Sequence, residues 1–470
     1  MNEEFSKLEV SENHLEVIGV NPIPEKERTH TPGKIFNFWA MASASATTPL
    51  VGLLLFGTGF WNMTIMILVA LAIGIIPAGL FSNMGRQIPL TALVVSRKTY
   101  GYYTSNGMSL FYTFVNLGWF GLNDATGGLI LSALTHTNAY IWFVIMGILQ
   151  ILLVMFGLKW LEYFYRYTSI ILIIVYGILA YYLFSLYHVN FGALVKQTVP
   201  INWGVDVNTI LAFSILSWTY KISTATRFAK PQRKNESKFA KFNYLVAAPL
   251  GIILPVFLMG YIGYASQIYA GNWNIAAISF PVHNTVLLVL LGVAAFAASL
   301  AVIHTNAMNL YPSTADLLAG IQPIFKKIKK EEIAQPVSTI FLGVVGIILA
   351  IVGILQHIES FLLLVADLLF PYTFILIVDW YINLRKTAKL KDFYEIPKTF
   401  RGNFNINAMV ATIIGVLINF LGLGPLDPIF SYFPQQVFGS LVAAFVFIVM
   451  SKYIFKEVAL DIKKEMPENE

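Results

Sequence analysis

Hydrophobic positions in this chain fall in long continuous runs, separated by short polar, basic and proline-bearing stretches. About 20 apolar residues in succession cross the hydrocarbon core of a bilayer as one helix. Twelve such runs are present, at 35–60, 62–82, 107–134, 139–158, 163–187, 207–226, 241–268, 285–318, 336–356, 358–383, 405–424 and 435–455, numbered spans 1 to 12 in order. The first 34 residues are polar and carry acidic side chains, with no short apolar stretch and no small-residue cleavage site. They read as a soluble tail and not as a signal peptide. Residues 456–470 form a second polar tail. The expected fold is all-α and polytopic, with twelve transmembrane helices.

Composition agrees with that pattern. Of 470 residues, 57% are apolar and 12% charged, against about a quarter charged in a soluble domain. Too few charges are present to coat soluble domains of this size. The chain has no cysteine, which excludes disulfides, thiolate metal sites and thiol nucleophiles. The formal charge of +6 raises nucleic acid as a partner, but the basic residues do not gather on one face. Nearly all of the 31 Lys and Arg lie in the tails, at span ends or in even-numbered loops, the exceptions being Lys196 and Lys221. That asymmetry is the positive-inside signal. It places both termini in the cytoplasm of a cell membrane and accounts for the charge with no nucleic-acid partner. The densest basic cluster, 326–330, is explained by topology or by anionic lipid.

Two spans are interrupted by polar residues. Span 1 contains Ala42-Ser43-Ala44-Ser45-Ala46-Thr47-Thr48-Pro49, and span 6 contains Ser217-Trp218-Thr219-Tyr220-Lys221-Ile222-Ser223-Thr224. They stand five spans apart, as an inverted repeat of spans 1–5 (35–187) and 6–10 (207–383) requires, with spans 11 and 12 (405–455) outside it. Carriers bind substrate near the midplane, where paired broken helices expose backbone groups. The blander reading is a proline kink in span 1 and hydroxyls bonded to their own backbone in span 6.

Spans 3 and 8 hold further polar residues at depth. Trp119 and Asn123 are four apart in span 3, hence on one helical face, and Asp124 follows. Span 8 carries His304-Thr305-Asn306-Ala307-Met308-Asn309 from the midplane inward. Polar groups at this depth are costly unless they face a cavity or one another.

These residues carry a resemblance. Trp119-Phe120-Gly121 with its preceding amide resembles span 3 of the nucleobase:cation symporter-1 family, the purine-cytosine permeases and hydantoin transporters. Asn21-Pro22-Ile23-Pro24-Glu25-Lys26-Glu27-Arg28 is similar to the segment before its first helix. Thr226-Arg227-Phe228-Ala229-Lys230 resembles the exit from its sixth. Thr305-Asn306-Ala307-Met308-Asn309-Leu310-Tyr311 resembles its eighth helix, especially in the purine-cytosine branch. Phe370-Pro371-Tyr372 with Ile377-Val378-Asp379-Trp380-Tyr381 resembles the end of its tenth. The match covers nearly the whole chain.

The resemblance implies a flat heterocycle, cytosine or a purine, stacked between aromatics of spans 3 and 6 and imported by alternating access. Hydantoin, allantoin, uracil or thiamine are the alternatives. It implies substrate contacts for Trp119, Asn123, Trp218, Ser217, Asn306 and Asn309. Span 6 departs from the family pattern, because the aromatic expected about twelve residues before Arg227 is Ile215, while Trp218 stands nine before. The acidic residue expected near the span 6 exit is Thr224.

Sodium-coupled members hold the ion with span 1 carbonyls and two adjacent span 8 hydroxyls. That implies a possible sodium site at Ser45, Thr48, Ala301 and Thr305. Here His304 replaces one hydroxyl, and an imidazole is a poor sodium ligand. Proton coupling, or uncoupled transport, is therefore expected over sodium, with the proton carried through His304 or through Asp124 and Lys221. Alternatively, Lys221 snorkels toward the cytoplasmic face, about 9 Å away at 1.5 Å per residue, and His304 is a neutral structural group. Arg227 is expected at a solvated helix end. No cofactor is expected, a monomer is plausible, and the partners are the small heterocycle and the bilayer. Catalytic patterns such as His-x-x-x-His or Gly-x-Ser-x-Gly are absent, so an enzyme is not expected. A channel or a receptor is the rival class.

Overall fold

The computed structural model describes residues 22–155, 158–233, 235–321, 324, 331–393, 397 and 400–454. The polar tails before residue 22 and after residue 454 lie outside them, as does the basic cluster at 326–330. Among the described residues the chain is all-α, with one isolated bridge between His30 and Ala229.

Span 1 is two helices, α1 (Pro32–Ser43) and α2 (Leu50–Leu54), followed by α3 (Phe60–Gln87) and the short α4 (Ala92–Tyr100). Next come α5 (Tyr102–Thr135), α6 (Ala139–Met155) and α7 (Leu158–Leu186). Span 6 is also two helices, α8 (Trp203–Phe213) and α9 (Ile215–Thr226), with α10 (Lys238–Ala270) after them. Span 8 comprises α11 (Thr285–Ser299) and α12 (Ala301–Ile321), and then α13 (Glu331–Ile351) and α14 (Ile358–Asp379) follow. The last two are α15 (Ile406–Leu421) and α16 (Gln435–Val449). Among the described helices, six are long and apolar enough to cross a membrane alone, and α15 with its bent continuation would make a seventh. The broken spans fail that criterion because each half is too short.

Burial is inverted relative to a soluble protein. Ile173 and Val286 expose more than 70% of their surface, while Lys221 and Asp124 expose none. An apolar outside around polar helix interiors is what a hydrocarbon solvent selects.

The helices pack as two groups. In one, α10 lies against α1, α2 and α3, and α3 lies against α8 and α9. In the other, α5, α6, α12 and α13 pack on one another. The group with both broken spans thus faces the group with the buried amides.

The first break falls as the polar, proline-ended stretch predicts. Pro49 has no N–H to continue a ladder, and residues 44–49 leave the helix. Thr48 Oγ1 donates to the Ser43 carbonyl at 2.5 Å and accepts from Ser45 N at 3.2 Å, closing the gap. The second break differs from expectation. The stretch 217–224 is helical, and the chain breaks at Ser214, with φ −123° and ψ −102°. The hydroxyls of 217–224 do not disrupt the helix because they bond back within it: Thr219 Oγ1 donates to Ile215 O at 2.7 Å and Ser223 Oγ to Tyr220 O at 3.1 Å.

The end of the N-terminal tail is tied into the fold, with Ile23, Arg28 and His30 buried and Glu25, Lys26 and Thr29 exposed. His30 N donates to Phe228 O and Lys230 N to His30 O, at 2.9 and 3.0 Å, and Ile23 N donates to Pro89 O. Arg28 Nη2 donates to Arg86 O at 2.5 Å, and burial pulls the Arg28 guanidinium down to about 10, still charged at neutral pH. Arg86 in turn grips Glu236 through two bonds of 2.9 and 2.6 Å and lies 3.6 Å over the Tyr244 ring. Arg86 is buried and Glu236 part-buried, so removing the guanidinium leaves the carboxylate without its charge partner in a partly desolvated site. Arg86→Leu is therefore expected to lower the melting temperature clearly, whereas the exposed Lys241→Leu is not; melting of purified protein followed by tryptophan fluorescence checks this.

Candidate functional site

The break in span 1 and the break in span 6 face one cavity. Its walls are Ser43, Ser45, Thr47 and Thr48 from the first break, Phe213, Ser214 and Trp218 from the second, and Trp119 and Asn123 from α5. Ile252, Val256 and Thr305 complete it. It is small, about 20 Å³, room for about one water. A planar heterocycle enters only when the ring walls separate. The Trp119 ring meets Phe213 edge-on at 5.6 Å and Phe361 at 5.4 Å, and Trp218 meets Trp39 at 5.5 Å.

Helical spacing explains the α5 contribution. Trp119 and Asn123 share a face, and Asn123 Nδ2 donates to Trp119 O at 2.7 Å. The Asn123 carbonyl oxygen accepts from Ser45 Oγ at 2.8 Å, tying α5 to the first break. Two buried polar atoms of the wall, Trp119 Nε1 and Thr47 Oγ1, have no hydrogen-bond partner among the described residues. A donor and a hydroxyl left open in an apolar cavity are costly unless something bonds them.

Three residues expected to touch substrate do not line the cavity. Ser217 Oγ bonds the Ser214 carbonyl at 3.0 Å. Asn306 Nδ2 donates to Phe120 O at 2.9 Å and to Gln150 Oε1. Asn309 Nδ2 donates to Asn306 Oδ1 at 3.0 Å. These amides are spent on one another inside the α5–α6–α12 group. Four lining residues escaped sequence reading, Ile252 and Val256 of α10 among them. Phe213 and Ser214 stand just before the polar stretch that drew notice, and no proline or glycine marks that break.

Among the residues considered for a cation, Thr305 Oγ1 donates to the Ala42 carbonyl, so span 8 does meet a span 1 carbonyl. The Ser45 and Thr48 hydroxyls are occupied within the break and by Asn123. His304 turns toward α7, where its Nε2 pairs with the Thr168 hydroxyl. The Tyr165 hydroxyl donates to the His304 carbonyl at 2.5 Å. The oxygens that would surround sodium are thus largely bonded to one another. Lys221 does not snorkel: it is fully buried, and its Nζ donates to Asn309 Oδ1 at 2.7 Å. Asp124 accepts from Gln150 Nε2 at 3.0 Å and makes no direct pair with Lys221. Arg227 is 1% exposed, held by Thr224 O and the Tyr311 hydroxyl, so it is not a solvated helix end. Asp316, which sequence reading passed over, is buried and accepts from Asn116 Nδ2 at 3.3 Å.

Two broken helices closing with a tryptophan-bearing helix on a central cavity define a membrane carrier, not an enzyme. The chain belongs to the family of permeases for cytosine/purines, uracil, thiamine and allantoin, the nucleobase:cation symporter-1 family, whose model matches residues 22–446. It is 22% identical over 417 residues to a hydantoin permease of Microbacterium maritypicum, covering 85% of this chain and 83% of that one. It is 24% identical over 282 residues to the purine-cytosine permease fcyB of Emericella nidulans, covering 56% of this chain and 51% of that one. The fold matches Mhp1, a nucleobase-cation-symport-1 family transporter in a closed conformation with bromovinylhydantoin bound. That match has a TM-score of 0.77 at 20% identity and covers 96% and 97% of the two chains. The hydantoin and purine-cytosine branches stand at comparable identity, so the chain is a polytopic transporter of the family without a branch assigned by these matches.

Proposed function

We propose that this chain imports a nucleobase, cytosine or a purine, across the cell membrane by alternating access, coupled to a proton. In this reading twelve helices cross the bilayer and both termini are cytoplasmic. The α1–α3 and α8–α10 group rocks against α5, α6, α12 and α13 around a fixed midplane site. The carrying observation is that Trp119 and Trp218, one from each group, line the same cavity. Rings stacked on both faces suit a flat heterocycle and tolerate several bases. The open Trp119 Nε1 and Thr47 Oγ1, with the Asn123 amide, suit the donor and acceptor edge of a base. Proton coupling is supported by His304 standing where a hydroxyl ligand is expected and by the mutual bonding of Ala42 O and Thr305 Oγ1. Hydantoin or allantoin is the second reading, favoured by the hydantoin permease match over most of the chain.

A thermal-shift panel on detergent-purified protein separates these readings. Cytosine, adenine, guanine, uracil, thiamine, hydantoin and allantoin are each added, in sodium or in choline. A true ligand stabilises by mass action, by about 2.7 kcal/mol at a hundredfold excess over Kd. The expected result is a shift with cytosine or a purine that is equal in both salts. A shift with hydantoin or allantoin alone moves the substrate to the second reading, and a shift that needs sodium overturns proton coupling.

A further inference from the structure

Four consecutive hydrogen bonds join Lys221 to Asp124. Lys221 Nζ donates to Asn309 Oδ1 at 2.7 Å, and Asn309 Nδ2 donates to Asn306 Oδ1 at 3.0 Å. Asn306 Nδ2 donates to Gln150 Oε1, and Gln150 Nε2 donates to Asp124 Oδ1 at 3.0 Å. Every link donates in the same direction. Each amide therefore turns its oxygen toward the ammonium and its NH₂ toward the carboxylate, the order that a cation at one end and an anion at the other impose. All five side chains are buried, none exposing more than 1%.

The chain of amides crosses the fold unevenly. Asn309, Asn306, Gln150 and Asp124 belong to α12, α6 and α5, which pack as one group. Lys221 belongs to α9, in the other group. Lys221–Asn309 is thus the joint of this chain that spans the two halves. The same Lys221 Nζ lies 5.3 Å from the centre of the Trp218 ring, a wall of the cavity. At the far end, Asp124 Oδ2 is buried without a hydrogen-bond partner among the described residues. It faces Gly147 of α6, where an added Cβ would stand 3.6 Å away.

We propose that Lys221 and Asp124 form one charge-compensated unit closed through three amides, and that this unit carries the coupling proton of the transport cycle. The proposal rests on the transporter reading above. With the joint closed, ammonium and carboxylate compensate each other. When α9 parts from α12, the joint opens, and the Asp124 carboxylate takes one proton from water entering the opened interior to become a carboxylic acid. When the link re-forms with the interior open to the cytoplasm, the Asp124 carboxylic acid gives that proton to cytoplasmic water and becomes a carboxylate again. One positive charge moves per cycle.

Other charged groups near the unit are accounted for. Asp316 on α12 attracts Lys221 through space and is itself attracted by Arg227. It accepts a hydrogen bond from Asn116, whose own oxygen accepts from the Tyr220 hydroxyl at 2.7 Å. Asp316 is thus a second carboxylate whose charge acts on Lys221 while the joint is closed. His304, two residues before Asn306, points instead to Thr168 and Tyr165 of α7. From α6, the groups facing Asp124 are Gln150 and Gly147.

Two measurements on the full chain test this. The first is the melting temperature of Lys221→Met, Asp124→Asn and the double variant in detergent, which needs no substrate. If the two charges compensate each other, each single variant strands its partner, and the double variant melts at or above the weaker single one. Losses that simply add overturn the pairing. The second is uptake of radiolabelled cytosine, adenine and hydantoin into proteoliposomes, with and without an acid-outside gradient. The expected result is several-fold stimulation by the gradient in the natural chain and none in Asp124→Asn. Gln150→Leu, which cuts the chain but keeps both charges, is also expected to lose the response and serves if Asp124→Asn fails to fold. A gradient response that survives in both variants, or that is lost only in His304→Gln, overturns the proposal, as does uptake by the natural chain that ignores the gradient. If the natural chain takes up none of the probes, the nucleobase and hydantoin readings fail and the proton role falls with them. The melting cycle still decides the pairing alone.

Discussion

Trp119→Ala is expected to cut sharply the thermal shift given by the preferred heterocycle and to lower its uptake. The indole is 3% exposed and presents one ring wall of the cavity, with Phe213 and Phe361 packed edge-on around it. Removing one stacking face costs about 1–3 kcal/mol per base, roughly a 5- to 150-fold loss of affinity. At a ligand concentration a hundredfold above the natural Kd, the upper half of that range removes most of the stabilisation. The indole also contributes the open Nε1 donor, so Trp119→Phe is expected to keep part of the shift and lose the rest. Trp39→Phe is the control: Trp39 packs on Trp218 from behind and does not line the cavity. It should melt lower yet keep its ligand response. An undiminished shift in Trp119→Ala would mean that the heterocycle binds elsewhere.

The second large effect is expected at Gly263. An added Cβ there would stand 1.9 Å from the Pro49 carbonyl oxygen and 2.6 Å from its carbon. Both are backbone atoms at the end of the first break, and they cannot turn aside as a side chain does. Gly52 on α2 makes the reciprocal approach, its Cβ position lying 2.1 Å from Tyr264 N. The broken half of span 1 is therefore seated on α10 by two glycines. Overpacking of this kind costs about 1–3 kcal/mol and sometimes more. Relief requires moving residues 44–49, which are cavity wall. Gly263→Ala should thus lower the melting temperature and the affinity for substrate together. Gly292→Ala on α11, where a Cβ meets nothing within 4 Å, should be neutral or slightly stabilising, since alanine favours a helix by about 1 kcal/mol over glycine. Equal melting temperatures for the two variants would contradict the packing described.

Much of this arrangement was legible in the chain before any fold was known. Long apolar runs with few charges specify a membrane protein because hydrocarbon accepts little else. The break at 44–49 was readable because proline and a cluster of hydroxyls act on the backbone within a few residues. Trp119 and Asn123 came together on one face because the helical period is fixed. The break at Ser214 was not readable. A serine in a helix can bond its own i−4 carbonyl, as Ser214 Oγ does to Ile210 O at 2.5 Å, and only the packing of α8 and α9 decides whether the chain then turns.

The roles of the buried polar residues show the same boundary. Asn306 and Asn309 were expected at the substrate because span 8 resembles the family's eighth helix and runs at the depth of the breaks, but depth along a helix does not specify what lies opposite. Their partners are Gln150 on α6 and Lys221 on α9, 156 and 88 residues away in the chain. Residues 22–31 read as solvated tail from their polarity, yet backbone bonds to Phe228 and Pro89 draw them into the fold. Local pattern thus determined the solvent, the kind of element, one break and the helical face carrying Trp119. The second break, the aromatic wall at Phe213 and the path from Lys221 to Asp124 were decided by tertiary structure. They depend on hydrogen bonds and ring contacts between distant segments, whose energies exist only once the helices meet.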